Sequence, residues 1–235
     1  MHETEELTKE LKIAGKIGKV RYHAIAGLFE RAVRAEIKSV FDRHGNQILM
    51  AVQGVNLCAA GSTVNSSTAI GYLLEEFITR QLPADYCKMT GSTTVAAADF
   101  HFADTGQIEL YVNLKAEKAT RSNKAVCAAG KLTKLYARNS KPKLMLIFKV
   151  CYEIDEREST IRIRDFAPVF LESFILGYRD NLRKDQRNWS KTYKPESGRL
   201  LVPEGGPYGI AAIPDPDVVH HFVGQELPQL LKRTG

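Results

Sequence analysis

Apolar and polar side chains alternate along residues 99–115. From Ile108 to Lys115 the alternation is unbroken for eight residues, the period of a β-strand with one buried face. Residues 99–102, with the sequence DFHF, alternate in the same way. The Asp-Thr-Gly at 104–106, between the two stretches, supplies turn residues. We therefore predict a hairpin whose apolar face covers the core. Its polar face carries Asp99, His101, Glu109, Tyr111, Asn113 and Lys115.

Helical periodicity dominates the chain before this hairpin. Apolar residues recur at spacings of three and four along residues 20–42, and again from residue 67 to about residue 80. These spacings predict two amphipathic helices. A short amphipathic helix is expected at 5–16, and the apolar run at 48–55 is typical of a buried strand.

Helices and strands mix after the hairpin. We predict a helix at about 122–136, strands at 141–154 and 159–170, and a helix at about 171–187. The chain then becomes irregular from residue 190 until a short closing helix. This order predicts an α+β or mixed α/β domain, with helices flanking one central mixed sheet.

The length and composition place the chain in one broad class. Its 235 residues suit a single domain, and 44% of them are hydrophobic. No apolar run is long enough to cross a membrane, and the charged N-terminus lacks the apolar core of a signal peptide, so we expect a cytoplasmic protein. Cys58, Cys87, Cys127 and Cys151 form no Cys-x-x-Cys pair, which argues against a zinc ribbon or a redox motif.

Positive charge is concentrated in two segments. The net charge is +6. Residues 115–143 carry nine Lys or Arg and one acid, and residues 178–199 carry seven Lys or Arg and three acids. The first segment starts at the end of the hairpin. We interpret both as surfaces that follow phosphates, with a solvated basic face as the alternative.

The polar face of the hairpin suits phosphodiester hydrolysis with Mg²⁺. That chemistry needs hard oxygen ligands for the metal and a nearby lysine that stabilises negative charge. If the turn centres near Thr105, Asp99 lies opposite residue 111, and Asn113 is its diagonal neighbour at roughly 7 Å. Metal ligands would then be Asp99, the Leu114 carbonyl and Asn113. The alternative is an ordinary solvated sheet face.

The segments VAAADFHF and ELYVNLK resemble the core of the PD-(D/E)xK nucleases, the group that includes most Type II restriction endonucleases. The pattern of that group is an Asp on one strand and acid-x-Lys on the next, preceded by a helix that often carries a Glu. Asp99 and Lys115 match the Asp and the Lys. Asn113 occupies the acid position, where a neutral amide binds metal more weakly. The likeness covers roughly residues 66–125.

The resemblance leaves the helix glutamate open. Glu75 and Glu76 both lie on the preceding helix, and Glu109 lies further back on the polar face. We assign the catalytic set as Asp99, Asn113, Lys115 and Glu76, with Glu75 or Glu109 as the other possible sources of an extra carboxylate.

The function that the resemblance implies is that of a Type II site-specific deoxyribonuclease, which cuts double-stranded DNA with Mg²⁺. The single domain, 1–235, would hold a restriction-endonuclease-like catalytic core at about 20–150 and DNA-recognition segments at about 143–200. A symmetric cut implies a homodimer, and a restriction-modification system would add a cognate DNA methyltransferase. Candidate DNA contacts are Lys118, Arg121, Arg162, Arg164, Arg179, Arg183, Arg187, Asn188 and Lys191.

Two other functions stay open at the level of sequence. One is a nuclease of the same group that acts in repair or recombination, for which an extended base-reading surface has little use. The other is a DNA-binding protein without catalysis, in which Asn113 marks a lost active site.

Overall fold

The computed structural model describes residues 2–49, 51–52, 55–56, 67–89, 98–103, 106–119, 125–155, 157–184, 191–202 and 208–232. Seven α-helices occur in these ranges: α1 (His2–Lys12), α2 (Lys19–Asp42), α3 (Ser67–Gln81), α4 (Ala129–Ala137), α5 (Ile175–Leu182), α6 (Pro216–His221) and α7 (Leu227–Lys232). The strands in the same ranges are β1 (Gln47–Leu49), β2 (Ala51–Val52), β3 (Val55–Asn56), β4 (Tyr86–Lys88), β5 (Phe100–Phe102), β6 (Glu109–Lys118), β7 (Ala125–Ala128), β8 (Lys143–Asp155), β9 (Thr160–Phe170), β10 (Tyr193–Lys194) and β11 (Arg199–Leu201).

A mixed sheet of six strands organises the molecule. Its order is β1-β9-β8-β6-β5-β4, and only the central pair, β6 and β8, is parallel among these strands. Helix α4 lies between β6 and β8 in the chain and makes the crossover that a parallel pair needs. The smaller β10-β11-β7 sheet and the β2-β3 ribbon are antiparallel. The predicted mixed sheet flanked by helices is confirmed at this level.

Helices cover both faces of the central sheet. On the first face, Leu110, Val112 and Leu114 of β6 pack in one apolar cluster with residues of α1, α2 and α3. On the second face, Tyr111 of β6 belongs to another cluster, which includes residues of α4, α5, α6 and α7. The strict alternation of β6 is therefore the alternation between two packed layers, and the second face is less solvated than a simple hairpin face.

Helix α2 is the main support of the first face. Ten of its residues are buried at helical spacing, including Ile25, Phe29 and Val33. Arg21 joins α2 to the end of α1: its guanidinium donates to the carbonyls of Glu10, Ile13 and Gly15. These hydrogen bonds provide donors for carbonyls at and just after the end of α1, where the helix itself runs out of donors.

Several predicted elements are confirmed, and others differ from the prediction in their bounds or their type. The helices at 20–42 and 67–80, the hairpin and the strands at 141–154 and 159–170 lie within a few residues of their predicted positions. The first helix was expected at 5–16, but α1 spans His2–Lys12. Among the described residues, no helix combines the length and the apolarity needed to cross a bilayer.

The prediction of one buried strand at 48–55 is wrong. Strand β1 is an edge strand that pairs only with β9 among the described residues, and Leu49 is 69% exposed. The predicted helix at 122–136 is half wrong, because β7 precedes α4 and pairs with β11, which is distant in sequence. The predicted helix at 171–187 begins as a 3-10 turn, Leu171–Phe174, and α5 ends at Leu182. Two short strands, β10 and β11, lie in the segment expected to be irregular.

Candidate active site

Asp99 lies at the end of the pairing between β5 and β6. Phe100 is opposite Val112 and His101 is opposite Tyr111. Asp99 is therefore level with residue 113, two residues further from the turn than the predicted partner at 111. The Asp99 backbone is held on both sides, since its N–H donates to the Val112 carbonyl at 2.8 Å and its carbonyl accepts from the Met89 N–H at 2.8 Å.

The Asp99 carboxylate accepts a hydrogen bond from the edge of β6 that a neighbouring strand would otherwise accept. Among the described residues, β5 offers no residue beyond Phe100 to pair with the edge of β6. The Leu114 N–H donates to Asp99 Oδ2 at 2.6 Å, a short, charge-assisted hydrogen bond. The N–H and C=O of one strand residue point to the same edge, so the Leu114 carbonyl lies on the Asp99 side of β6. This carbonyl is the predicted backbone ligand of the metal.

Glu75 takes the next position along the same edge. Helix α3 packs close to the end of β6. A Cβ added at Gly71 of α3 would lie 3.9 Å from the Ala116 Cβ. The Ala116 N–H donates to the Glu75 carboxylate. Two successive N–H groups on this edge of β6, those of Leu114 and Ala116, are therefore bound by two carboxylates rather than by a strand.

Burial and charge set the protonation of these two acids. The pKa of Glu75 is raised to about 7, and loss of hydration is the largest cause. Lys115 and the Ala116 N–H act against the rise, and the nearby Asp99 carboxylate adds to it. Burial also raises the pKa of Asp99, and Lys115 and the Leu114 N–H oppose that shift. Lys115 thus lies within electrostatic reach of both carboxylates, and a cation at this place would favour their charged forms.

Glu76 points away from this group. Its carboxylate accepts from Arg80 at 2.7 Å and from Lys88 at 2.7 Å, and these hydrogen bonds lower its pKa. One residue is about 100° of rotation on an α-helix, so neighbouring glutamates cannot face the same strand. The structure therefore corrects the assigned set: Glu75, and not Glu76, is the helix glutamate beside Asp99.

Asn113 lies on the second face of β6 between Tyr111 and Lys115, and it is buried, at 2% exposed. It shares the second face with Lys115, as predicted from their spacing of two. Glu109 is at the far end of β6, roughly 20 Å from Lys115 at the rise of a strand. Its carboxylate accepts from the Tyr111 hydroxyl at 2.8 Å and lies 3.4 Å from Lys143 Nζ. Glu109 is thus part of a separate polar cluster.

A second lysine stands beside Lys115. In the parallel register of β6 and β8, Lys115 is the partner of Lys149, so their side chains share the second face. Lys149 Nζ is 3.5 Å from the Glu117 carboxylate. Sequence reasoning missed this pair, although Lys149 is the one charged residue in the apolar run from Leu144 to Tyr152.

The predicted DNA contacts are spread over several elements. Arg162 pairs with Asp155 at 3.1 Å and Arg164 with Glu153 at 2.5 Å, both across β8 and β9. Arg183 pairs with Glu226 at 2.7 Å, and Arg179 lies 3.9 Å from Asp180.

The remaining predicted contacts do not gather at Lys115 either. Lys118, three residues on from Lys115, belongs to the opposite face of β6. Lys191 is exposed and is the first residue of the described range 191–202. Arg121, Arg187 and Asn188 lie outside the described residues.

The donor set at Asp99 suits a hard cation. Among the residues that the structure describes, no three His, Cys, Asp or Glu side chains come together as a metal site. Mg²⁺ in proteins is usually held by only one or two carboxylates, with other oxygens and waters completing its shell. Asp99 and Glu75 supply two carboxylates, and the Leu114 carbonyl and the Asn113 amide supply neutral oxygens. This set fits Mg²⁺ and lacks the thiolate or imidazole ligands that softer metals prefer.

Comparison with known proteins adds no family to this picture. No protein-family model matches the chain, and no curated protein matches it.

Proposed function

We propose that this protein is a Mg²⁺-dependent, sequence-specific endonuclease of double-stranded DNA, as a Type II restriction enzyme is. The observation that carries the proposal is the edge of β6. Asp99 and Glu75 bind its successive N–H groups at Leu114 and Ala116, directly beside Lys115. A carboxylate pair on a rigid strand can hold a metal for phosphodiester hydrolysis, and a lysine beside it can stabilise the charge that develops on the phosphate.

The order of elements supports the same proposal. Helix α3 carries Glu75, Asp99 precedes β5, and β6 carries Lys115, followed by a crossover helix and a parallel strand. The order of the helix glutamate, the Asp and the Lys is that of the PD-(D/E)xK pattern to which the sequence is similar, and the mixed sheet with helices on both faces is compatible with it. On this basis we propose a restriction-endonuclease-like fold for the core.

The residues that would hold Mg²⁺ are Asp99, the Leu114 carbonyl and Asn113, with Glu75 as the additional carboxylate. When bound, Mg²⁺ would neutralise charge on the phosphoryl oxygens and acidify a water. The Leu114 N–H fixes the orientation of Asp99 through a 2.6 Å hydrogen bond, which leaves the other carboxylate oxygen for a cation.

Lys115 is the electrostatic partner of the reaction in this proposal. Its side chain projects from β6, the strand that also carries Asn113 and the Leu114 carbonyl, and its charge acts on both the Asp99 and the Glu75 carboxylates. A preorganised positive charge of this kind stabilises the negative charge that develops on the phosphate in the transition state. Asn113 in the acid position removes one formal charge from the ligand set, so Glu75 becomes more important than in a three-acid site.

Recognition of DNA would fall to the segments after the core. Arg162, Arg164 and Arg183 are held in surface ion pairs, and such pairs contribute only about 0–1 kcal/mol each, so a phosphate or a guanine can take their place. We propose duplex DNA as the substrate and a homodimer as the working form for a symmetric cut.

Plasmid DNA provides the test. Purified protein is incubated with plasmid in Mg²⁺ or in EDTA, and the ends of the products are sequenced. The proposal expects discrete fragments in Mg²⁺ only, all ending at one short sequence. Ends scattered along the plasmid would favour a repair or recombination nuclease. Binding without any cleavage would favour the inactive DNA-binding protein.

A further inference from the structure

Lys149 lies in an unusual place for a lysine. It is the one charged residue in the apolar run from Leu144 to Tyr152, and it projects from the second face, whereas Phe148 and Val150 on either side are buried on the first face. Its own side chain is 15% exposed, and the Glu117 side chain 3.5 Å away is 9% exposed. An ion pair with so little exposure adds little net stability over apolar residues of similar size, because both charges lose hydration. Packing alone therefore gives a weak reason for a lysine at this position.

The position of Lys149 relative to the proposed site gives a stronger reason. The carboxylates of Asp99 and Glu75 lie on the β5 side of β6, and Lys115 projects from β6 itself. Lys149 is one strand further on, at a spacing of about 4.8 Å, and on the same face as Lys115. From the β5 side of β6 toward β8, the order is therefore the two carboxylates, Lys115 and then Lys149.

We infer that Lys149 binds a non-bridging oxygen of the DNA phosphate next to the scissile one. This inference rests on the proposed function, in which the scissile phosphate lies at Asp99 and Lys115. A strand of DNA that crosses the sheet from β5 toward β8 would bring its next phosphate over β8. Glu117 would orient the Lys149 ammonium while the site is empty of DNA, and a lysine has three donors, so it can serve a carboxylate and a phosphate together.

A purely structural role for Lys149 makes a different prediction, and a double variant separates the two. Lys149→Met alone would leave Glu117 buried without its cation, and it would destabilise the fold under either account. Lys149→Met with Glu117→Gln removes both charges at nearly constant volume. Under either account this double variant should have a melting temperature at least as high as that of Glu117→Gln, which leaves the Lys149 ammonium without its carboxylate.

The test compares three proteins: wild type, Glu117→Gln, and the double variant with Lys149→Met. Each is titrated, in Ca²⁺ in place of Mg²⁺, with a labelled duplex that carries the cleavage site found by end sequencing. We expect the double variant to bind about tenfold more weakly than Glu117→Gln. Its plot of log affinity against log salt should be shallower by about 0.9, the value for one lost phosphate contact.

Equal affinity and equal salt slopes in the double variant and Glu117→Gln would overturn the inference and leave Lys149 with a structural role beside Glu117. This outcome is distinct from failure of the proposed function, which appears in the wild-type protein itself. If wild type neither cuts nor binds duplex DNA, the proposed function is wrong, and the role of Lys149 falls with it.

Discussion

Strand β6 has two polar ends that look alike in sequence and differ in structure. At its beginning, Glu109 accepts from the Tyr111 hydroxyl and from the Asn139 amide, and it faces the buried ammonium of Lys143. Toward its other end, the acids next to Lys115 are bound by backbone N–H groups instead. We call these the closed end and the open end of β6.

The difference between the two ends comes from strand pairing. At the closed end, side chains satisfy one another, and Lys143 also donates to Asn139 and to the Lys141 carbonyl. At the open end, β5 reaches no further than Phe100, so the edge of β6 receives carboxylates from outside the sheet. A carboxylate that gives one lone pair to an N–H retains others for a cation. The comparison favours a structural role for the closed end, and the open end is where we propose that the chemistry takes place.

The largest difference in cleavage rate is expected between a variant of Asp99 and a variant of Glu109. Asp99→Asn keeps an oxygen that can accept from Leu114 but removes the charge that a metal needs, so cleavage should fall by at least about 10³-fold. The matched change at the closed end, Glu109→Gln, should keep cleavage within about threefold of wild type. Single-turnover rates on plasmid DNA measure both. Equal losses in the two variants would remove the distinction between the ends.

Variants of Lys115 and Lys143 should differ in which property they change, the cleavage rate or the stability. Lys115→Met should lower the cleavage rate by about 10²-fold with little change in stability, because it removes one preorganised charge from a half-buried position. Lys143→Met should do the reverse: it removes the ammonium that faces Glu109 and donates to Asn139, and it should lower the free energy of unfolding by about 1–3 kcal/mol. Urea unfolding and cleavage rates, measured on the same samples, would reveal any exchange of these roles.

A buried acid in the 3-10 turn before α5 should govern part of the pH dependence of stability. Buried Glu172 accepts from the Tyr136 hydroxyl and the Met145 N–H, and burial raises its pKa to about 8 from an ordinary value of 4.5. Between these pH values the folded chain holds a proton that the unfolded chain has released. Stability should therefore fall as pH rises through this window, by up to about 1.4 kcal/mol per pH unit, and level off above it.

Glu172→Gln isolates this contribution, because glutamine keeps the accepting oxygen and cannot titrate. The free energy of unfolding of wild type minus that of the variant should decrease from pH 5 to pH 8. If the two proteins show parallel curves, Glu172 does not hold a proton in the folded chain.

A smaller effect is expected from Asn113→Asp at the acid position. The new carboxylate would be nearly buried, so the variant should lose about 1–3 kcal/mol of stability without metal. Mg²⁺ should restore part of that loss, since a ligand that binds only the folded chain stabilises it. Thermal unfolding with and without Mg²⁺, beside wild type, measures the difference. An equal loss under both conditions would place Asn113 outside the metal site.

The smallest effect is expected at the surface. Arg183→Ala should make the salt dependence of DNA binding shallower by about 0.9, if the arginine leaves Glu226 for a phosphate. Arg31, which pairs with Glu3 at 3.1 Å, is equally exposed and lies in the α1-α2 layer on the first face, so Arg31→Ala should leave the slope unchanged. A slope that is unchanged in Arg183→Ala would exclude the end of α5 from the DNA interface.

The hairpin was predictable because its pattern is local. Eight alternating residues fix which side chains share a face, and so the sequence alone identifies Asn113 and Lys115 as neighbours on one face. The choice between Glu75 and Glu76 was not predictable, since it depends on the rotation of α3 over β6. The neighbour of Lys115 on β8 depends on the register of a parallel pair joined through α4, which no local pattern encodes. The errors at 48–55 and 122–136 have the same origin, in pairing between distant strands.

Mapping the metal on the chain tests the central claim most directly. Fe²⁺ can replace Mg²⁺ in an oxygen-ligand site, and with ascorbate and peroxide it cuts the polypeptide close to where it is bound. Fragments of the wild-type protein, identified by mass spectrometry, should end near Glu75, Asp99 and Leu114. These cuts should be suppressed by excess Mg²⁺ and lost in Asp99→Asn. Cuts near Glu109 or Lys143, or a pattern unchanged in Asp99→Asn, would contradict a metal site at the open end of β6.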